Sequence, residues 1–260
     1  MKKRILTAAI AIPIVLWLVI GSPFYVFGFA CALAAAITAY EYFGFTGHRG
    51  LLVLLCLFLA VFTMSFGIHF GMAVWVASAF ICVALGMMRA DGIEGYLAAT
   101  ARYSFAFLYI GIGYSAIIVL REHGYEFLLA MMLSVWAADT FAYFGGKLLG
   151  RHPMSPKISP NKTLEGLAFG IAGATITYSV VMAFFPVAFL IHPAFIGLAV
   201  GAISVVGDLV ESALKRSADV KDSGSILAGH GGMFDRMDSM IFTAPLYLIL
   251  IILLMANVSQ

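Results

Sequence analysis

From Leu51 to Met88 the sequence carries no Asp, Glu, Lys or Arg. Such a stretch is at home in lipid, whose hydrocarbon core of about 30 Å takes roughly 20 residues of helix. It reads as two crossings, Leu51–Phe66 and Phe70–Met88. Comparable runs are Ile5–Ile20, Phe24–Phe43, Phe105–Leu120, Phe127–Leu149, Leu164–Phe185, Pro193–Leu214 and Met240–Met255. Composition agrees: 63% of the residues are hydrophobic and 11% charged, against about 45–50% apolar in soluble domains. The expectation is an all-α polytopic membrane protein with about nine transmembrane helices.

The opening Met1-Lys2-Lys3-Arg4 before an apolar run imitates a signal peptide. A second span follows at once, without a convincing small-residue cleavage site, so the first helix is expected to be retained. Cytoplasmic loops hold the excess of Lys and Arg. With the N-terminus inside, all 15 Lys and Arg except Arg121 fall on the cytoplasmic side, and an odd number of spans puts the C-terminus outside. The location expected is the cell inner (plasma) membrane. A net charge of +2 is too small to suggest nucleic acid, but its one-sided placement suits anionic lipid or an anionic solute. Cys31, Cys56 and Cys82 all fall within spans, where free Cys behaves as a small apolar residue.

Residues 1–125 read as N-terminal transmembrane scaffold. Residues 126–260 read as the catalytic transmembrane core, with cytoplasmic loops 150–163 and 215–238. The pairs Gly67/Gly71, Gly166/Gly170 and Gly197/Gly201 have the spacing that permits close helix contact, a spacing common by chance in glycine-rich spans. Gly146-Lys147 lacks the Ser or Thr of a phosphate-binding loop, and Gly111-x-Gly113 lies inside a span, so neither reads as a nucleotide motif.

Four acids, Asp139, Glu165, Asp208 and Glu211, sit within or at the edges of apolar spans. A lone carboxylate in lipid costs at least about 2.5–3.5 kcal/mol, so such residues are usually paired and functional. Asp208, Glu211 and Lys215 share one helix face; a structural Glu211–Lys215 ion pair is the plainer alternative. Asp235 and Asp238 stand three apart at the start of the last helix, near its positive dipole end. With Asp208 they supply carboxylate oxygens suited to Mg²⁺, which takes one or two carboxylates and leaves its other positions to water and phosphates.

Gly229-His230-Gly231-Gly232 has the backbone freedom to aim several N–H groups at an anion, although glycine clusters more often mark a tight turn. His230 reads either as a phosphate donor or as a loop residue. In the other loop, Pro160 is expected as the first residue of a helix capped by Ser159. That would gather Lys157, Asn161 and Lys162 around a helix N-terminus, an anion site; a basic loop touching lipid headgroups fits equally. Carboxylates for metal, with two cation-rich loops for phosphates, describe an enzyme handling a nucleotide and an anionic lipid.

The stretch Ser212-Ala-Leu-Lys215-Arg216, continuing through Lys221-Asp222, Gly224, Leu227, His230-Gly231-Gly232-Met233 and Asp235-Arg236-Met237-Asp238, resembles the signature of the phosphatidate cytidylyltransferases. A second block is similar to the same family: Asp139-Thr140, Ala142-Tyr143, Gly146-Lys147 and Gly150-Arg151, then Ser155-Pro-Lys157-Ile-Ser159-Pro, Lys162-Thr163 and Glu165-Gly166. Leu164 stands where that family usually has Trp, and Ala228 where it usually has Pro. Neither departure removes a charged group.

The resemblance implies a metal-dependent membrane homodimer that converts CTP and phosphatidate into CDP-diacylglycerol and pyrophosphate. By it, Asp208 and Asp235 would hold Mg²⁺ with Asp238 beside them, and a second cation such as K⁺ would lie nearby. Lys157, Lys162, Lys215, Arg216, Lys221 and Arg236 would hold phosphates. Asp139, Ser159, Asn161, Asp222, His230, Gly231 and Gly232 would line the substrate site. Two other readings remain at this point: a CTP-dependent lipid kinase and a secondary transporter using Asp139 and Asp208 as an ion pathway. The transporter reading calls for two similar halves, and no such internal repeat is visible.

Overall fold

The computed structural model describes residues 2–47, 50–88, 92–187, 189–224, 226 and 231–256, with side chains from residue 9 to residue 255 within them. His230 and Ala228 lie outside the described residues. The fold is all-α and polytopic. Its helices are α1 (Lys2–Ile20), α2 (Phe24–Thr46), α3 (Leu51–Phe62), α4 (Ile68–Met88), α5 (Gly92–Ala106), α6 (Ile112–His123), α7 (Tyr125–Leu149), α8 (Leu164–Met182), α9 (Pro193–Ser217) and α10 (Phe234–Ala256). Among the described residues seven helices are long and apolar enough to cross a membrane, and Ala9–Ile20 and Leu51–Phe66 are shorter apolar helices. A turn of π-helix, Phe107–Gly111, joins α5 to α6, so helix runs unbroken from Gly92 to His123. That is well ahead of the start expected at Phe105.

The chain forms two compact units: Met1–Glu122 with Val220–Met237, and His123–Asp219 with Asp238–Gln260. Gly124, at φ +155°, makes the turn between α6 and α7 that a side chain would strain.

In the first unit, α2 runs to a left-handed cap at Gly47 (φ 85°), whose N–H donates to the Phe43 carbonyl in the common glycine C-cap manner. The buried Thr38 and Tyr114 hydroxyls bond at 2.9 Å. Arg121 donates to the carbonyls of Val19 and Ser22, at 2.8 and 2.5 Å, and lies over the Phe27 ring at 4.6 Å. The one basic residue expected on the outer side thus closes the end of α1 onto the start of α2.

In the second unit, α7, α8 and α9 pack through missing side chains. A Cβ on Gly145 of α7 would fall 2.5 Å from Phe169 of α8, and one on Gly173 of α8 would fall 2.6 Å from Phe141 of α7. Each helix therefore seats the other's phenylalanine. Between them, Gly166 and Gly170 approach the carbonyls of Ala142 and Ala138, while Gly197 and Gly201 of α9 press on Tyr178 and Ala174 of α8. Two of the three glycine pairs mark helix seams, where close backbone approach replaces the hydrophobic drive that lipid cannot supply. The third differs: Gly67 meets nothing within 4 Å, and Gly71 packs on Met64 of the adjoining turn.

Between α7 and α8 the structure corrects one expectation. Residues 153–163 form an antiparallel hairpin, β1 (Pro153–Ser155) against β2 (Ser159–Thr163). Ser159 and Pro160 are strand residues, and α8 starts at Leu164 with Thr163 as its cap, Oγ1 accepting the Gly166 N–H at 3.1 Å. Proline is allowed at a strand edge as well as in a first helical turn, so Pro160 by itself does not decide. The Leu164 N–H donating to the His152 carbonyl at 2.9 Å extends the pairing through the point where a helix was expected. Lys157 and Asn161 therefore belong to the hairpin rather than to a first helical turn, and Lys162 directly precedes Thr163, the cap of α8.

Candidate active site

The polar centre of the second unit is built where α9 meets α10. Gly207 has no side chain, and a Cβ there would fall 2.7 Å from Phe242, 3.1 Å from the Ser239 Cα and 3.2 Å from the Asp238 carbonyl. That contact brings the backbones bearing Asp208 and Asp238 together. The charges of Asp208, Asp139 and Lys215 all act on Asp238, so three helices, α7, α9 and α10, each contribute a carboxylate to one electrostatic cluster.

Cations answer these acids. Lys162 of β2 forms an ion pair with Asp208, and the Ser212 hydroxyl donates to the other Asp208 oxygen at 3.4 Å. Glu211, 1% exposed, pairs with Lys215 at 2.8 Å. The plainer alternative for Glu211 is thus what the structure contains. Arg216 Nε donates to the Ile158 carbonyl at 3.4 Å, linking the end of α9 to the hairpin turn. On the hairpin's other side, Glu165 accepts the N–H groups of Arg151 and His152 at 3.0 and 3.2 Å. Its second oxygen accepts from His152 Nδ1 at 2.5 Å. Glu165 thereby fixes how the strand leaves α7 and returns to α8.

The first unit holds the second candidate stretch by two carboxylates. Asp235, in the first turn of α10, accepts the N–H of Gly232 at 2.9 Å and that of Ser223 at 3.1 Å. This is a reach-back of the capping-box kind. Glu41 of α2, 3% exposed, accepts from Ser223 Oγ at 3.1 Å and from the N–H groups of Met233 and Phe234 at 3.0 and 2.9 Å. The Gly232 amide is therefore engaged by Asp235. The sequence reading passes over Glu41, although the signal that marks Asp208, an acid inside an apolar span, is present there too.

Of the other expected site residues, Lys157, Asn161, Lys221, Asp222, Arg236 and Asp139 are exposed, and Ser159 and Gly231 are half-buried. Lys162, Asp208, Asp238, Asp139 and Lys215 are drawn into the cluster of the second unit, while Gly232 and Asp235 meet in the first.

Among the described residues no three His, Cys, Asp or Glu side chains close on one point as a formed metal site would. The donor chemistry of the cluster nevertheless fits Mg²⁺, a hard cation that needs only one or two carboxylates. The Lys162 ammonium on Asp208 marks that oxygen as a place for positive charge.

A chain of membrane-spanning helices with carboxylates and ammonium groups gathered at one polar centre belongs to the class of integral membrane proteins that handle charged substrates at the bilayer. A model of the cytidylyltransferase family matches residues 2–254. The chain is 35% identical over 262 residues to a phosphatidate cytidylyltransferase of Staphylococcus haemolyticus (strain JCSC1435), covering 97% of this chain and 99% of that protein. It is 43% identical over 151 residues to the phosphatidate cytidylyltransferase of Bacillus subtilis (strain 168), covering 56% of each. The protein belongs to the cytidylyltransferase family.

Proposed function

We propose that this protein is a nucleotidyltransferase that moves CMP from CTP to phosphatidate, yielding CDP-diacylglycerol and pyrophosphate. Similarity over nearly the full length to a relative of that activity supports the reading. The observation that carries it is the Lys162–Asp208 pair beside Asp238 and Lys215, opposite charges of the kind that metal and phosphates require.

A phosphatidate oxygen attacks the α-phosphorus of CTP, a new P–O bond forms there, and the bond to the β-phosphate breaks to release pyrophosphate. The attacking phosphomonoester has a second pKa of about 6 and is ionised near neutrality, so no general base is needed. The chain's task is to position two anions and balance their charge. By the family resemblance Asp208 and Asp235 would hold Mg²⁺ with Asp238 beside them; the bound ion would neutralise phosphate charge. Asp235 can serve while accepting amide N–H groups, because a carboxylate offers about four lone-pair sites. Lys157, Lys162, Lys215, Arg216, Lys221 and Arg236 would bind phosphate oxygens, and a second cation such as K⁺ would sit nearby. The basic bias of the loops supports an N-terminus and active site on the cytoplasmic face of the inner membrane. The family resemblance supports a homodimer.

Labelled CTP tests the reading. Protein in detergent with Mg²⁺ and phosphatidate should carry α-phosphorus label into lipid, and should release γ label as pyrophosphate. Label from the γ position in the organic phase would indicate a lipid kinase, and intact CTP a transporter; either result overturns the proposal.

A further inference from the structure

Glu41 lies in an apolar helix, is 3% exposed, and is met by three donors that come from the far end of the chain. Burying a carboxylate is unfavourable unless its oxygens are satisfied, and an apolar residue would fill the same volume without that cost. The surroundings are shaped to it: a Cβ on Gly224 would fall 2.7 Å from Oε1, and one on Gly232 2.4 Å from Oε2.

The three donors are informative. Met233 and Phe234 supply amides at the start of α10, which the helix cannot satisfy internally and where its dipole favours negative charge. Ser223 lies at the opposite end of the glycine-histidine stretch. One side chain thus ties both ends of that stretch to α2. The turn it fixes bears Asp235 and the exposed Arg236, and Asp235 in its turn accepts the Ser223 and Gly232 amides. With these four amides engaged by carboxylates, side-chain cations rather than these backbone groups are left to meet an incoming phosphate.

We propose that Glu41 is a positioning residue for nucleotide binding, a staple joining Ser223 and the start of α10 to α2 that sets the first turn of α10 and the residues it presents. The nucleotide rests on the cytidylyltransferase reading; the staple does not. The test measures hydrogen exchange and CTP kinetics on the full-length protein in detergent, for the wild type, Glu41→Gln and Ser223→Ala. Glu41→Gln keeps the shape but puts an NH₂ against a donor. Peptides covering Met233–Asp238 should exchange roughly ten- to hundredfold faster, as for loss of a hydrogen bond to a charged acceptor, while peptides from α7 and α8 stay unchanged. KM for CTP should rise by a similar factor, with KM for phosphatidate unmoved. Ser223→Ala, which removes one of the three bonds, should shift both readouts the same way by less, and it decides the matter if Glu41→Gln does not fold. Unchanged exchange at the start of α10, or a fall in kcat with KM for CTP unmoved, would overturn the proposal. Faster exchange in a protein whose wild type never consumes CTP would instead sink the cytidylyltransferase reading and leave the staple standing.

Discussion

Lys162 of the hairpin and Asp208 of α9 are joined as an ion pair, 46 positions apart in a chain where charge is scarce. The pair connects the hairpin proposed to bind phosphate with the helix proposed to hold the metal.

Replacing Asp208 by Asn should therefore act twice. Activity should fall by about two orders of magnitude or more, as for loss of a major electrostatic contribution. Thermal unfolding in detergent should also show coupling: Lys162→Met and Asp208→Asn each destabilise, but together they cost less than their sum, by about 0.5–3 kcal/mol. Wild-type turnover in Asp208→Asn contradicts the assignment, and strict additivity contradicts the pair.

Asp238→Asn and Asp235→Asn separate two roles for carboxylates on one helix. Both should need more Mg²⁺ for half-maximal rate, because each loses a charged oxygen donor. Asp235→Asn alone should also loosen the Gly232 and Ser223 amides, seen as faster exchange there. If neither variant alters the Mg²⁺ requirement, these residues are not the metal's ligands.

Orientation can be checked at the hairpin turn, where Pro156 is exposed. In a background lacking the three native Cys, Pro156→Cys should resist a membrane-impermeant thiol reagent in intact cells and react once they are broken. Ready labelling of whole cells would reverse the topology.

The residues that disclose themselves in the sequence are those whose cost is local. Asp208 stands out because a charge in an apolar run needs a reason whatever the fold, and the seams at Gly166/Gly170 and Gly197/Gly201 have visible spacing. The hairpin is harder to read, because Ser159-Pro160 suits a helix start as well as an edge strand and the pairing with Pro153–Ser155, extended by the bond from Leu164 to His152, decides. Glu41 carries the same local signal as Asp208, but its partners lie 182 to 193 residues downstream. Nothing nearby says what it holds.

Gly207 has a consequence for any survey of tolerated substitutions. It bears no functional group, yet every larger residue would have to displace Phe242 and the backbone at Ser239, and so pull apart the two helices that carry Asp208 and Asp238. In a saturation scan scored by growth, position 207 should group with the aspartates and be mistaken for a member of the chemistry. Purified protein would tell them apart: a bulky residue at 207 lowers the melting temperature along with the rate, whereas Asn at 238 lowers the rate of a molecule that still holds its shape.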